Sequence, residues 1–297
     1  MRISSNSDFL NAMASIEKAA ADLARWQARV ASGRLVNTPA DDPAAAARSV
    51  EEHAELAALG QYARATELAA ARLSAADSVL SDIIERLTTA RAATTAALGT
   101  TATAASREAV ARELEGLSDA LLADMRCNLR GTYLFSGSAS LTAPYERVGG
   151  IVSGYLGDGN AVSVDIDRTR SVAVSIDARA ITQGADPSDV FTVLSDLAAA
   201  VRAGDQAGMT AGLDGLKRAF DRAVACQTAV GTDLASLSDQ GLRLTTLKQA
   251  AVKRVSKDED VNLAEAISRM ARADTAYQAA LSAIGSRSRL TLLDYLR

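Results

Sequence analysis

The clearest pattern in this sequence is a repeat of apolar residues at each end of the chain, in alternating steps of four and three. The N-terminal repeat consists of Phe9, Met13, Ile16, Ala20, Leu23, Gln27 and Val30. The C-terminal repeat consists of Leu263, Ile267, Met270, Asp274, Tyr277, Leu281 and Ile284. This spacing predicts two long amphipathic helices that act as coiled-coil partners. The polar positions, Gln27 and Asp274, either fix the register of pairing or face solvent.

Two interpretations of these ends remain open at this point. A helix of about 30 residues is roughly 45 Å long, and an apolar stripe of that length needs another long helix beside it. Either the two ends pair only with each other inside one chain, or they stay incomplete until neighbouring subunits cover them.

The interior of the chain contains two further apolar stripes with helical spacing. One consists of Leu73, Ala76, Leu80, Ile83, Leu87 and Ala90, and the other of Val110, Leu114, Leu117 and Leu121. A polar break at Gly99-Thr100-Thr101 separates them, which predicts an antiparallel helix pair.

Polar residues and prolines suggest where the helices begin. Ser106 is the expected cap of the second helix of that pair, and Asp42-Pro43 and Asp186-Pro187 have the sequence of helix starts. The acidic run Asp258-Glu259-Asp260 is expected to cap the last helix, because carboxylates favour the positive end of a helix.

A different pattern occupies the middle of the chain. Apolar residues alternate with polar ones over residues 162–166 and again over 172–176, with Asp167-Arg168-Thr169-Arg170 between them. Period-two alternation around a short polar link predicts a β-hairpin with one buried face. The segments Gly149–Gly150 and Gly157-Asp158-Gly159 lack a phosphate-binding pattern and are interpreted as turns.

Together these patterns predict a fold that is mainly α with a small β insertion, namely a long antiparallel helical bundle with coiled-coil termini. Residues 1–40 and 258–297 form the terminal arms, residues 41–140 and 188–257 the helical bundle, and residues 141–187 the β-rich insertion. The net charge of −4 gives no reason to expect nucleic acid or membrane as a partner. No stretch has the length and apolar character of a membrane span, and the N-terminus lacks the apolar core of a cleaved signal peptide.

The residue types needed for catalysis or metal binding are scarce. His53 is the only histidine and lies in a polar helical segment, where a solvated helix face explains it better than a serine triad or a zinc site. Cys127 and Cys226 are expected to be unpaired, small, buried or half-buried apolar residues. The sequence therefore predicts neither an enzyme nor a cofactor-binding protein.

Three segments resemble the flagellin family. They are residues 31–44 (ASGRLVNTPADDPA), residues 131–138 (GTYLFSGS) and residues 290–297 (LTLLDYLR). Their order, and their positions on either side of a β insertion, make the resemblance specific. It covers both terminal thirds of the chain and is weakest over residues 141–187.

The resemblance implies a structural subunit of the bacterial flagellum that joins the hook to the filament, exported through the flagellar type III channel without a cleaved signal. Implied partners are copies of itself in a ring, another hook-associated protein, flagellin, and an export chaperone at the C-terminal helix. The terminal arms would supply the assembly interface: the apolar repeat positions above, with Leu292, Leu293 and Tyr295. The alternatives are the filament subunit itself or, in another class, a signalling coiled-coil protein, which would have uninterrupted heptads and no β insertion.

Overall fold

The computed structural model describes residues 2–99 and 103–295, with side chains described for residues 10–99 and 103–285. Helices account for most of these residues, and the strands pair only as two-stranded antiparallel sheets. The prediction of a mainly α fold with a small β insertion is therefore confirmed.

The long helices lie where proline is absent from the sequence. The helices are α1 (Arg2–Ser32), α2 (Pro43–Ala97), α3 (Ala104–Met125), α4 (Ala178–Thr182), α5 (Val190–Ala203), α6 (Gln206–Glu259) and α7 (Leu263–Tyr295). The expected break between the second and third helices is confirmed by their ends, although residues 100–102 lie outside the described part of the chain.

The cap of α2 is confirmed and two other predicted starts are wrong. Asp42 accepts hydrogen bonds from the N–H groups of Ala44 and Ala45, at 3.0 and 2.9 Å, and so caps α2. The cap of α3 is Thr103, whose hydroxyl accepts from the N–H of Ser106, the residue expected to be the cap.

The cap of α5 is Asp189, whose carboxylate accepts from the N–H of Thr192 at 2.8 Å. The expected cap, Asp186, instead binds the guanidinium groups of Arg218 and Arg222. Because its carboxylate is already occupied by two cations, the helix begins three residues beyond Pro187 rather than at it.

The acidic run near the last helix was also assigned to the wrong helix. Asp258 and Glu259 lie at the C-terminal end of α6, which continues through them, and Asn262 caps α7 by accepting from the N–H groups of Ala264 and Glu265. Carboxylates are unfavourable at this negative end of a helix dipole, so these two need cationic or hydrogen-bonding partners.

The chain divides into two compact units. The first, the terminal unit, contains Met1–Leu59 and Thr246–Arg297, and the second, the central unit, contains Gly60–Thr245.

The core of the central unit is built on the apolar stripe predicted for α2. Its six positions from Leu73 to Ala90 are each 2% exposed or less. Leu114 and Leu121 of α3, Leu194 and Leu197 of α5, and Leu216 and Leu237 of α6 are buried in the same cluster. Gly212 lets α6 approach α5 closely, because a Cβ atom there would lie 2.5 Å from Cδ1 of Leu197.

Three hairpins make up the β structure of the described residues. They pair β1 (Asn128–Leu129) with β2 (Thr132–Tyr133), β3 (Arg147–Val148) with β4 (Ile151–Val152), and β5 (Ser163–Asp165) with β6 (Ser171–Ala173).

The third hairpin is the one predicted from the alternating pattern. Val164 pairs with Val172, and Ile166, Val172, Val174 and Ile176 are buried in the core, so the prediction of one buried face is confirmed. Gly149 and Gly150 form the two-residue turn of the second hairpin with φ of 61° and 88°. Two positive φ values are what a type I′ turn requires, which confirms the turn expected there.

Candidate assembly surface

In the terminal unit α1 packs against α7 in antiparallel orientation. Arg34, just after α1, forms an antiparallel bridge with Asp260, just before α7. Further along both helices, Cζ of Arg269 lies 5.2 Å from the ring centroid of Trp26. Residue numbers thus fall along α1 as they rise along α7, and the two ends of the chain pair with each other.

A continuous stripe on each helix is wholly or partly covered. On α7 it consists of Ala266, Met270, Ala273, Tyr277, Ala280 and Ile284. On α1 it consists of Ala12, Ile16, Ala19, Leu23, Trp26 and Val30. Both stripes advance in steps of four and three, as expected for long helices packed side by side. Ala266 is fully buried, and its small side chain lets the helices approach closely.

The predicted repeats share only every second position with these covered stripes. Ile16, Leu23 and Val30 of α1, and Met270, Tyr277 and Ile284 of α7, belong to both. At three of the positions between them, a large apolar residue of the predicted repeat adjoins an alanine, and the alanine is the less exposed of the two. These pairs are Met13 with Ala12, Ile267 with Ala266, and Leu281 with Ala280. The side chains of Phe9, Leu292, Leu293 and Tyr295 lie outside those described.

The remaining large residues of the predicted repeats whose side chains are described are about half exposed to solvent in the single chain. Leu263 and Ile267 are 50% exposed, Leu281 is 44% exposed and Met13 is 45% exposed. At about 100° per residue Leu263 and Leu281 have the same direction on α7, and Ile267 lies about 40° away. We call Leu263, Ile267 and Leu281 the exposed flank of α7. These three large apolar residues lie beside the face that contacts α1, and the polar side chains of Asp274 and Gln278 lie between Ile267 and Leu281.

The two polar positions of the repeats have separate explanations. Gln27 is exposed, so it faces solvent rather than fixing the register of α1. Asp274 is half-buried, and its carboxylate accepts a hydrogen bond from the side-chain amide of Gln278 at 2.9 Å, within α7 itself.

A buried carboxylate, Glu259, lies where α6 ends. Ser49 and His53, one turn apart on α2, both donate to its Oε1 atom, with His53 Nε2 at 2.6 Å. Its other oxygen lies 3.8 Å from the guanidinium of Arg34. The hydrogen bond from Ser49, supported by His53, holds the pKa of Glu259 below its usual value against the opposing effect of burial.

This cluster contains a serine, a histidine and a carboxylate but lacks the geometry of a catalytic triad. In a triad the histidine accepts the serine proton, and the carboxylate orients the histidine from its other side. Here Ser49 and His53 donate to the same carboxylate oxygen, so the serine has no base. His53 is exposed, as expected for a solvated helix face, and its ring also contacts Glu259.

Residues 3–140 match the family described as the bacterial flagellin N-terminal helical region. Over almost its full length the chain is also similar to flagellar hook-associated protein 3 of Escherichia coli strain K12, with 25% identity covering 98% of both chains. The protein of the same name from Salmonella typhimurium is 26% identical and covers 80% of this chain and 81% of its own.

The chain is similar to the flagellin family and to flagellar hook-associated protein 3.

Solved structures of flagellar hook-associated proteins have the same fold. A putative flagellar hook-associated protein from Vibrio parahaemolyticus superposes with a TM-score of 0.68 at 19% identity, covering 74% of this chain and all of its own. Flagellar hook-associated protein 3 from Legionella pneumophila superposes with a TM-score of 0.63 at 13% identity, covering 69% and 97%.

Three further features of the described residues concern the cysteines, membrane spans and metal sites. Cys127 and Cys226 are unpaired and half-buried, as predicted. Among the described residues no helix is long and apolar enough to cross a membrane. Within the same residues no cluster of histidine, cysteine, aspartate and glutamate side chains has the arrangement of a metal site.

Proposed function

We propose that this chain is a structural subunit of the bacterial flagellum that joins the hook to the filament by helical packing of its terminal arms, residues 1–40 and 258–297. The observation that carries the proposal is the exposed flank of α7. Leu263, Ile267 and Leu281 are three large apolar residues on one side of α7, each about half exposed in the single chain. Exposed apolar residues grouped on one side of an element mark surfaces that a partner covers.

The relatives support the junction in particular. The two curated relatives reported above are both named flagellar hook-associated protein 3, and neither is named as a filament subunit. This favours a junction protein over a flagellin. The β hairpins between the helices count against a signalling coiled coil, whose helices would be uninterrupted.

In this proposal the other parts of the chain have a supporting role. Residues 41–140 and 188–257 form the helical bundle of the subunit, and residues 141–187 form its β-rich insertion. The partners are further copies of the chain in a ring, a second hook-associated protein on one side and flagellin on the other. The subunit reaches this place by flagellar type III export, with a chaperone on the C-terminal helix until then.

The proposed interface consists of the predicted apolar positions of both arms. They are Phe9, Met13, Ile16, Leu23 and Val30 in the first arm, and Leu263, Ile267, Met270, Tyr277, Leu281, Ile284, Leu292, Leu293 and Tyr295 in the second. All act by packing, and none by chemistry, so the proposal assigns the chain no enzymatic activity.

The position of the protein in the cell tests this proposal. A strain lacking the chain is complemented with a version carrying one exposed cysteine, which is labelled with a fluorophore on intact cells beside a differently labelled hook. We expect a single short band at the base of each filament. Label along the whole filament would favour the flagellin alternative, and label confined to the cell body would contradict a flagellar role.

A further inference from the structure

Glu259 lies in an environment that disfavours an ionised carboxylate. It is the last residue of α6, where the helix dipole is negative, and its side chain is only 10% exposed. Both features disfavour a negative charge. Ser49, His53 and Arg34 offset that cost by presenting donors or positive charge to its two oxygens.

The main chain of Glu259 is held as firmly as its side chain. Its carbonyl accepts a hydrogen bond from the N–H of Leu35 at 2.6 Å, and the N–H of Val261 donates to the carbonyl of Gly33 at 3.0 Å. These two bonds join the connection between α1 and α2 to the connection between α6 and α7. The end of α1 and the start of α7 are therefore held next to each other, within a few residues of Glu259.

The other ion pairs between α2 and α6 in this unit are more exposed. Asp258 pairs with Arg48, and Glu52 and Glu55 pair with Arg254, with carboxylate side chains 20–44% exposed. Exposed pairs contribute little to stability because water competes for both charges. Glu259 is the most buried carboxylate among the ion pairs described for the terminal unit.

Ser49 and His53 have the spacing that this role needs. Four residues apart on α2, they lie on the same face of the helix and converge on one oxygen of Glu259. Arg34 approaches the second oxygen from the connection that follows α1. One carboxylate therefore contacts the start of α2 and the end of the α1 segment at once.

We propose that Glu259 is the positioning residue that fixes the direction in which the pair α1 and α7 leaves the start of α2 and the end of α6. It would thereby present the exposed flank of α7 to a neighbouring subunit in one orientation. The first part rests on the geometry within the terminal unit alone. The second part rests on the proposed function of the arms in assembly.

The direction of the arm can be measured in the purified full chain. Spin labels at Ala47 of α2 and Ala276 of α7, both exposed, report the distance between these helices within the terminal unit. The background carries Cys127→Ala and Cys226→Ala, so that only the introduced cysteines react. The variants are Glu259→Ala, Glu259→Gln and, as the matched control, Glu55→Gln, which removes a more exposed carboxylate of α2.

We expect one narrow distance distribution for the parent chain and for Glu55→Gln. Glu259→Ala should broaden the distribution, since no acceptor remains for Ser49 and His53. Glu259→Gln should lie between them, because its amide oxygen still accepts a hydrogen bond but has no charge for Arg34. Circular dichroism on the same samples checks that the helices remain formed. A distribution as narrow in Glu259→Ala as in the parent would overturn the positioning role.

Cells expressing the same variants separate this inference from the proposed function. At equal levels of secreted protein, we expect Glu259→Ala to reduce the number of filaments attached to hooks, and Glu55→Gln to leave it unchanged. Normal attachment together with a broadened distribution would overturn the link between arm direction and assembly. Failure of the proposed function would appear differently, as unmodified protein absent from the filament base.

Discussion

Trp26 of α1 lies against Arg269 of α7, with Cζ of the arginine 5.2 Å from the centroid of the indole ring. Arg29 approaches the same ring from its own helix, with its Cζ at 4.8 Å. A guanidinium this close to an indole is attracted by the negative face of the ring. Trp26 is the only tryptophan in the chain, so its fluorescence reports directly on the packing of the two terminal helices.

We expect Arg269→Ala to shift the tryptophan emission to longer wavelength, because water then reaches the face of Trp26 that Arg269 covers. The loss of stability should be small, about 0.5–1 kcal/mol, as is typical of cation–π contacts near a surface. Arg272→Ala is the control, since Arg272 is exposed and contributes to a groove on the outer side of α7. Equal emission spectra for Arg269→Ala and the parent would show that the contact is absent in solution.

The sequence best predicted which face of an element is buried where that face carries large apolar residues and most of the other positions are polar or small. In α2 the predicted stripe from Leu73 to Ala90 is the observed core, because its large residues repeat at helical spacing. The adjoining Val79 and Ile84 are partly buried at the edge of the same cluster. The same reasoning predicted the hairpin that contains Val164 and Val172. In both places burial of the larger residues determines the register.

In the terminal helices the abundance of alanine left it ambiguous which face of each helix is buried. Ala266 is buried and Ile267 is half exposed, although isoleucine is the more apolar. The pairing of α1 with α7 favours small residues that permit close approach, and this preference depends on a partner far away in the chain. Glu259 was assigned to the wrong helix for a similar reason, because its partners Ser49 and His53 are distant in sequence and nothing local shows that α6 continues through it.

Arg72 of α2 binds two separate segments of the β structure through its guanidinium group. The guanidinium of Arg72 donates to the carbonyl of Val174 at 2.7 Å, the hydroxyl of Thr132 at 2.9 Å and the carbonyl of Tyr133 at 2.7 Å. These acceptors come from two different hairpin segments. Hydrogen bonds from a charged donor contribute about 1.5–3 kcal/mol each to stability. When the donor is removed, water can bind the freed acceptors and recover part of this free energy.

We therefore expect Arg72→Ala to lower the free energy of unfolding of the central unit by about 2–4 kcal/mol in urea. Hydrogen exchange should accelerate at the N–H of Val174, which is bonded to the carbonyl of Val162. Arg72→Lys should rescue little, because an ammonium group lacks the planar fork that reaches three acceptors. Arg168→Ala, in the exposed turn between β5 and β6, is the control and should leave exchange at Val174 unchanged.

The thiol of Cys226 should be unreactive at neutral pH. Burial raises its pKa to about 11, because the charged thiolate is disfavoured away from water. Only the thiolate is alkylated, so the rate with iodoacetamide should be low at pH 7 and should rise as the pH approaches 11. Mass spectrometry of the peptide containing Cys226 measures this rate, with the unfolded chain as reference. Rapid alkylation of the folded protein at pH 7 would contradict the described burial.

The exposed flank of α7 distinguishes assembly from folding. In the variant Ile267→Asp with Leu281→Asp, the new charges lie at positions that are 50% and 44% exposed in the single chain, so water still solvates them. Substitutions at such sites usually change stability by about 0.5 kcal/mol or less each, with a small further cost for aspartate inside a helix. Thermal unfolding followed by circular dichroism and by Trp26 fluorescence should therefore be nearly unchanged.

The same charges would become buried if a neighbouring subunit covers the flank. Burying a carboxylate without a partner costs several kcal/mol, so the joint between hook and filament should fail. Cells should then make hooks without attached filaments and release flagellin into the medium. Secretion of the variant must match that of the parent, because loss of export would also leave hooks without filaments.

Ala266→Asp is the control for the stability measurement. Ala266 is fully buried within the single chain, so a charge there should destabilise the purified monomer. If the double variant instead melts as early as Ala266→Asp, the flank belongs to the intramolecular core and is not a joining surface.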